Sequence, residues 1–407
     1  MTTGPSIERP YGWVVVIASL LLMTVGAGGY FIVIVGLTLV AEDFGGLRWI
    51  PSLAYSLALL GMGFGGIFIG RWSERVGVGK PALIGAVMIA LGSWSNSVAS
   101  SHWALLASHA IFIGLIGNAA LFSPLIANVA HWFDRRRGIA VSIVASAQGL
   151  AGIIWPTAFR YLIETTSWRE SYRLYAGFAV VTMVPLSLLL WPRAPAPIVH
   201  SETREVDADD RVLGFTPGAA LVSLCVAIVG CCVAMAMPIV HVVAYVTDLG
   251  YPLARGAEVL AILLGFGFLS RIAWGALGDR WGGLRVLLVG SMAQAAVLSA
   301  YLVVDSLIGI YIVSAFFGLA FGGIIPSYTL VVSRYFSRGS LGWRIATVYF
   351  FGAIGMATGG WLGGFLYDTT GSYRNAFAVG LVFNLLNLII VATLLKREER
   401  PLEVALA

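Results

Sequence analysis

Residues 70–77, GRWSERVG, recur 205 positions later as residues 275–282, GALGDRWG. Two further pairs of segments match at the same offset: AEDFG (41–45) with VTDLG (246–250), and SWR (167–169) with SYR (372–374). All three matches fall where a long apolar run meets charged residues. One spacing repeated at three such places predicts that the chain contains two copies of one structural unit.

The composition predicts that these units lie in a membrane. Of the 407 residues, 59% are hydrophobic and only 11% are charged, whereas a soluble domain carries about 25% charged residues. The charges cluster between apolar runs, and a run of about 20 residues crosses the hydrocarbon core as a helix. We predict an all-α membrane protein of twelve transmembrane helices, near residues 13–40, 49–70, 81–99, 103–133, 138–159, 174–192, 218–246, 257–278, 286–304, 307–333, 345–367 and 376–395.

The basic residues predict the orientation of these helices. Of the 25 Lys and Arg residues, eighteen fall on the side that holds both termini, six on the other side, and Arg271 within a helix. Lys and Arg are enriched in cytoplasmic loops. We therefore expect both termini in the cytoplasm of a multi-pass protein of the cell inner membrane or plasma membrane. The net charge of +5 then reflects topology, and a nucleic-acid partner is not expected.

A polar segment divides the chain almost in half. Residues 193–211 contain prolines and many charges and lack an apolar period. We predict an N-terminal six-helix bundle over residues 1–192, a cytoplasmic linker over 193–211, and a C-terminal six-helix bundle over 212–407. Two pseudo-symmetric six-helix repeats are the architecture of secondary transporters that bind substrate between the halves.

The repeated segment resembles the signature between helices 2 and 3 of the major facilitator superfamily, with Glu74 where that family usually has Asp. The resemblance covers the whole chain. It implies that the acid and Arg of each copy control the alternation between inward-open and outward-open states. The gating residues expected on this basis are Glu74, Arg75, Asp279 and Arg280.

Other segments are similar to the monocarboxylate transporter branch of that superfamily, above all to its bacterial lactate transporters and oxalate–formate exchangers. These segments are YGWVVV (11–16), WFDRRRGIAVSIVASAQGLAG (132–152), PIVHVVAYVTDLG (238–250) and the Arg of helix 8. The chain departs from the animal members at two places. Its helix 1 has no lysine, and Gly267 stands four residues before Arg271, where those members have Asp.

Arg271 is the main candidate for substrate binding. It lies within an apolar run, and a charge at the bilayer centre costs at least about 2.5–3.5 kcal/mol. No Asp or Glu occupies the middle of a predicted span. Because a guanidinium matches a carboxylate with two parallel hydrogen bonds, a mobile carboxylate is the expected counter-ion. The alternative is an Arg satisfied by helix carbonyls and trapped water.

Further candidates for the substrate site are weaker. His241 in helix 7 is expected near Arg271, where it binds substrate or carries a proton, since imidazole titrates near neutral pH; the alternative is a hydrogen bond between helices. Arg271 and His241 are thus the expected proton-coupling residues. Four further residues are candidates for the cavity lining, although such groups commonly only join helices: Asn118, Tyr30, Tyr328 and Tyr349.

These observations predict a secondary active transporter of small monocarboxylates of lactate or pyruvate size, coupled to protons by alternating access. The alternatives are an oxalate–formate-type anion exchanger and an exporter of a larger amphipathic compound. We expect no enzymatic activity, no catalytic residue, no cofactor and no metal, because no nucleophile or metal-ligand constellation is present. The expected partners are a small carboxylate, a proton and the lipid bilayer, and the chain is expected to be a monomer.

Overall fold

The computed structural model describes residues 8–133, 136–194, 212–336 and 341–406. The chain forms two compact units, residues 1–199 and 200–407. Most of the predicted linker, residues 195–211, lies outside the described residues. Each unit is built from long apolar helices joined by short loops.

The first unit contains ten α-helices and one π-helical segment among its described residues. Their bounds are α1 Tyr11–Val35, α2 Leu37–Asp43, α3 Trp49–Val76, α4 Gly79–Ser97, α5 His102–Ala107, the π segment Ser108–Asn118, α6 Ala119–Leu121, α7 Ser123–Trp132, α8 Arg137–Ala145, α9 Ala147–Thr165 and α10 Trp168–Leu188.

The second unit contains seven helices in its described part. Their bounds are α11 Pro217–Asp248, α12 Leu253–Trp281, α13 Gly283–Ala300, α14 Leu307–Phe321, α15 Ile324–Tyr335, α16 Leu341–Thr370 and α17 Tyr373–Leu406.

Ten helical stretches among the described residues are long and apolar enough to cross a membrane. Helices α4 and α10, of 19 and 21 residues, are also of spanning length. They are not among the ten stretches, and they are less apolar because α4 carries Lys80 and α10 begins with Arg169 and Glu170. The protein is thus an all-helical, multi-pass membrane protein, while the count of twelve spans stays a prediction.

Four of the predicted helices are interrupted, at Gly36, at Phe122, at Ser146 and at Gly322 and Gly323, and two of these breaks lie just before a proline. The helix expected at 103–133 contains the π segment and a break at Phe122, two residues before Pro124. The helix expected at 307–333 breaks at Gly322 and Gly323, shortly before Pro326. Proline lacks the N–H that a continuous helix needs, so it is tolerated in the first turn of the helix that follows each of these two breaks.

The internal repeat has a clear structural counterpart. Helix α3 is capped at its C-terminus by Gly77, with φ 84° and ψ 157°, and α12 by Gly282, with φ 83° and ψ 156°. Each glycine donates its N–H to the carbonyl four residues earlier, at 2.9 Å for Gly77 and 3.0 Å for Gly282. This backbone region is almost exclusive to glycine. Positions 205 residues apart thus make the same tight turn into the next helix.

Candidate functional site

Arg271 lies inside helix α12, about 15 Å along the axis from the helix end at Trp281. The residue is half-buried, and its Nε is buried without a hydrogen-bond partner. Among the described residues, no side chain forms a hydrogen bond or ion pair with this guanidinium. The charge therefore lacks a fixed counter-ion in the part of the chain that the structure describes.

Three acids of the second unit form described ion pairs, and one of them, Glu398 of α17, pairs with Arg334 at 3.3 Å. Glu258 pairs with Arg255 at 2.8 Å, close to the start of α12. Asp305, in the loop before α14, pairs with Arg374, whose guanidinium holds the pKa of the Asp305 carboxyl below its usual value. These carboxylates are bound to other cations, so they do not serve as counter-ions for Arg271.

Two hydroxyl groups lie on the helices that neighbour Arg271. Tyr349 of α16 is close enough to Arg271 for an electrostatic interaction between the hydroxyl and the guanidinium. The hydroxyls of Tyr349 and Thr329, on α15, share a hydrogen bond of 2.7 Å. Helices α12, α15 and α16 thus bring one cation and two hydroxyls into the same region of the second unit.

Open space adjoins this group on helix α12. Gly275 follows Arg271 by four residues, so the two positions lie on the same face of the helix, about 6 Å apart along the axis. A Cβ added at Gly275 would have no described atom within 4 Å beyond its own segment of helix. By contrast, Ser270 points into the packed side of α12, where its hydroxyl donates to the carbonyl oxygens of Gly267 and Gly318. The Arg271 face has room for a ligand that the Ser270 face lacks.

The structure does not place His241 beside Arg271. The Nε2–H of His241 donates to the carbonyl oxygen of Gly360 at 2.8 Å, and its ring packs 5.1 Å from that of Tyr373. Gly360 lies eleven residues from Tyr349 on α16, about 16 Å along the helix. His241 is therefore bound to a part of α16 well away from Tyr349.

Helix α12, which carries Arg271, packs against a face of α11 other than the one that carries His241. A Cβ at Gly256 of α12 would lie 2.9 Å from the carbonyl oxygen of Val243. Side chains two residues apart on a helix point about 160° from each other, so His241 is directed away from α12. It belongs to the packing of α11 against α16 and α17, which corresponds to the alternative of a hydrogen bond between helices.

Tyr328 also lies in the core of the second unit. Its side chain is fully buried, and its hydroxyl donates to Oδ1 of Asn387 at 3.1 Å. Thr329, the next residue, faces Tyr349 instead. Sequence reasoning selected the larger polar residue and missed Thr329. The available signal was the 100° step between adjacent helical positions, because only one of two neighbours can face the core.

The candidates in the first unit join helices to one another. Both donor contacts of the Asn118 amide are to backbone, the carbonyl oxygens of Gly26 at 3.2 Å and Ile113 at 3.0 Å. Tyr30 of α1 donates to Oε1 of Gln148 on α9 at 2.6 Å. Gln148 is half-buried, and sequence reasoning did not identify it. It lies within the AQG segment that carried the family resemblance.

The expected gating residues lie at the ends of α3 and α12. Glu74, Arg75 and Arg280 are exposed, and within the described residues none of these side chains forms an ion pair. The side chain of Asp279 lies outside the described set. An arginine lies against the turn in each repeat: Arg193 beside Gly77, and Arg334 beside Gly282.

Comparisons with known proteins agree on one family. The sequence profile of the Major Facilitator Superfamily matches residues 17–342 and, in a second match, residues 222–406. Monocarboxylate transporter 13 of Bos taurus is 26% identical over 86% of this chain and 80% of its own length. Monocarboxylate transporter 12 of Rattus norvegicus is 25% identical over 89% of this chain and 81% of its own length. The MFS-type transporter pynF of Aspergillus niger is 25% identical over 79% of this chain and 72% of its own length.

Solved structures show the same fold at low sequence identity. The peptide transporter POT in complex with sulfate matches with a TM-score of 0.75 and 13% identity, covering 95% of this chain and 94% of that chain. A bacterial homologue of the human lysosomal transporter Spinster, inward-facing and unoccupied, matches with a TM-score of 0.68 and 15% identity, covering 96% and 99%. These likenesses describe the fold alone.

Proposed function

Because the chain belongs to the Major Facilitator Superfamily, and is therefore a secondary transporter and not an enzyme, we propose that it carries small monocarboxylates by proton symport. The observation that carries this proposal is Arg271, a cation inside a membrane helix without a fixed counter-ion among the described residues. The printed names of the relatives, monocarboxylate transporters 12 and 13, support the same substrate class.

The chemistry of the site favours a 2-hydroxy or 2-keto acid such as lactate or pyruvate. The planar fork of Arg271 pairs with both oxygens of a carboxylate. The neighbouring hydroxyls of Tyr349 and Thr329 can donate to, or accept from, the substituent at C2. Gly275 leaves room beside the guanidinium. A dianion such as oxalate would leave one buried negative charge unpaired, which is costly.

Proton coupling follows from the charge of the substrate. Moving a monoanion alone against 100 mV costs about 2.3 kcal/mol, and one accompanying proton removes that cost. The spans offer no Asp or Glu at mid-depth to hold the proton, and His241 is bound to Gly360 on the far part of α16. We therefore propose that the proton travels with the substrate and is not held by a fixed side chain of the spans.

The proposal includes the topology and the gate. The chain would lie in the cytoplasmic membrane with twelve spans and both termini in the cytoplasm, as the distribution of basic residues indicates. The α3–α4 and α12–α13 turns would then both face the cytoplasm. Glu74, Arg75, Asp279 and Arg280 would act there, changing partners as access alternates.

The test is ligand-induced thermal stabilisation of the purified protein by L-lactate and pyruvate. Arg271→Ala should weaken binding at least about 30-fold, because loss of a buried charge partner costs about 2 kcal/mol or more. Arg271→Lys should also weaken binding. Lys keeps the charge but loses the fork. Ser270→Ala is the matched control, since it truncates the adjacent residue on the packed side of α12.

Binding of lactate by Arg271→Ala at the affinity of the unmodified protein would refute the proposal. Stabilisation by larger amphipathic compounds, equal in the unmodified protein and in Arg271→Ala, would indicate the exporter instead.

A further inference from the structure

An apolar groove runs along the first unit between helices α3 and α4. Its walls include Phe64, Phe68 and Trp72 of α3 and Ile84 of α4, and its floor includes Leu115 of the π segment. The groove has a volume of about 350 Å³, and its lining residues are all apolar. From Phe64 to Trp72 it extends about 12 Å along α3.

The walls of this groove are open rather than packed. Phe64 and Phe68 are 52% and 56% exposed, and Ile84 is 41% exposed. Exposed apolar side chains of this kind are suited to contact hydrocarbon. An elongated apolar channel parallel to the helix axis matches the shape of an acyl chain, and Trp72, at the end of the groove, is a residue type enriched at the membrane–water interface.

Basic side chains surround the same end of the groove. Arg75 follows Trp72 by three residues, so it projects from nearly the same face of α3, whereas Glu74 projects about 160° from Trp72. Lys80 is exposed at the start of α4. Arg193 reaches the turn from the end of the unit, where its Nη2 donates to the carbonyl oxygen of Arg75 at 3.4 Å.

These cations have no acidic partner within the described residues. Arg75, Lys80 and Arg193 are exposed, and none of them is in an ion pair there. Three unpaired cations at the open end of an apolar groove are complementary to a ligand with one apolar chain and one anionic head.

We propose that this groove is a binding site for an anionic phospholipid. One acyl chain lies along Phe64, Phe68 and Trp72, and the phosphate is bound by Lys80, Arg193 and Arg75. The proposal does not depend on the identity of the transported substrate, because the groove lies in the first unit and Arg271 in the second.

The test is native mass spectrometry of the purified full-length chain titrated with dioleoylphosphatidylglycerol. The unmodified protein should bind one molecule saturably, at least about fivefold more tightly than dioleoylphosphatidylcholine, since one basic residue near an anionic lipid contributes about that factor. Glycerophosphoglycerol, the same headgroup without chains, should not compete at equal concentration. Competition would show a free phosphate site and overturn the lipid proposal.

Two pairs of variants distinguish lipid binding in the groove from lipid binding elsewhere on the protein surface. Ile84→Trp fills the groove and should weaken binding at least fivefold. Leu91→Trp, two turns further along the same face of α4 and similarly exposed, should not. Ile84→Trp should leave lactate binding unchanged.

The headgroup variant is Lys80→Gln with Arg193→Gln, which should remove the preference for phosphatidylglycerol over phosphatidylcholine. Arg9→Gln with Lys396→Gln changes the net charge equally at other exposed positions and should preserve that preference. If both double variants lose the preference for phosphatidylglycerol equally, the proposal of a localised site is refuted. A detergent-purified dimer that Ile84→Trp dissociates would assign the groove to a second copy of the chain instead.

Discussion

Replacing Gly77 or Gly282 by alanine should destabilise the protein, because both residues hold a backbone conformation that is nearly exclusive to glycine. Gly77 has φ 84° and ψ 157°, and Gly282 has φ 83° and ψ 156°. A non-glycine residue in this region costs about 1–3 kcal/mol. Gly282→Ala should cost at least as much as Gly77→Ala, since its Cβ would lie 3.0 Å from Nη1 of Arg334, against 3.7 Å between the other Cβ and Nε of Arg193.

The internal repeat supplies matched controls. Gly70 and Gly275 are also 205 residues apart, lie inside α3 and α12, and have space for a Cβ with no described atom within 4 Å. Alanine in a helix interior is more favourable than glycine by about 0.8–1.0 kcal/mol. Gly70→Ala and Gly275→Ala should therefore leave stability unchanged or raise it by up to about that amount.

The assay is equilibrium unfolding of each purified variant in dodecylmaltoside with increasing sodium dodecyl sulfate, followed by circular dichroism. Gly77→Ala and Gly282→Ala should both have a lower free energy of unfolding than the unmodified protein, while the two controls should not. If the turn variants are as stable as the unmodified protein, the backbone assignment is wrong. If the controls lose as much stability as the turn variants, positive φ is not the cause.

Three further predictions concern the site and the gate. Gly275→Leu should keep the fold, because leucine is a better helix former than glycine, yet abolish lactate-induced stabilisation by filling the space beside Arg271; normal stabilisation would mean that the substrate lies elsewhere. His241→Ala should lower the free energy of unfolding by about 1–3 kcal/mol, because the Gly360 carbonyl loses its buried donor. The variant should keep the lactate affinity and the pH response of uptake of the unmodified protein. Loss of the pH response would show that His241 carries the proton. Glu74→Gln should slow initial uptake in proteoliposomes while equilibrium lactate binding stays within twofold, and an equal fall in both would contradict a gating role.

Much of the helical fold is readable from the sequence, because charged residues cluster at helix ends and the offset of 205 relates the two halves. The breaks within the predicted helices are harder to predict from the sequence. The amide of Asn118 donates to Ile113, five residues earlier, and also to Gly26 of α1. That second contact is between distant parts of the chain, so it could not be predicted from the local sequence pattern.

The candidate site, too, can be predicted from the sequence only in part. Arg271 is identifiable in the sequence because it is a charge within an apolar run. The direction of His241 is not, because α11 is apolar on every side and its sequence does not say which neighbour covers which face. Tyr328 and Thr329 are adjacent polar residues, and only the packing of α15 decides that Tyr328 enters the core.

The central claim is proton-coupled transport of a monocarboxylate, and uptake of radiolabelled L-lactate into proteoliposomes tests it most directly. The vesicles are loaded at neutral pH, and the external pH is lowered in one arm, while a potassium–valinomycin potential is imposed at constant pH in the other. The account predicts strong stimulation by the pH step and almost none by the potential, since one proton neutralises one carboxylate.

Vesicles preloaded with oxalate or formate form a third arm, which the exchanger requires and the symporter does not. Uptake that appears only in preloaded vesicles, or that follows the potential and ignores the pH step, would contradict the account. Stimulation by the pH step that is absent from vesicles containing Arg271→Ala, and retained with Ser270→Ala, is the result that the account predicts.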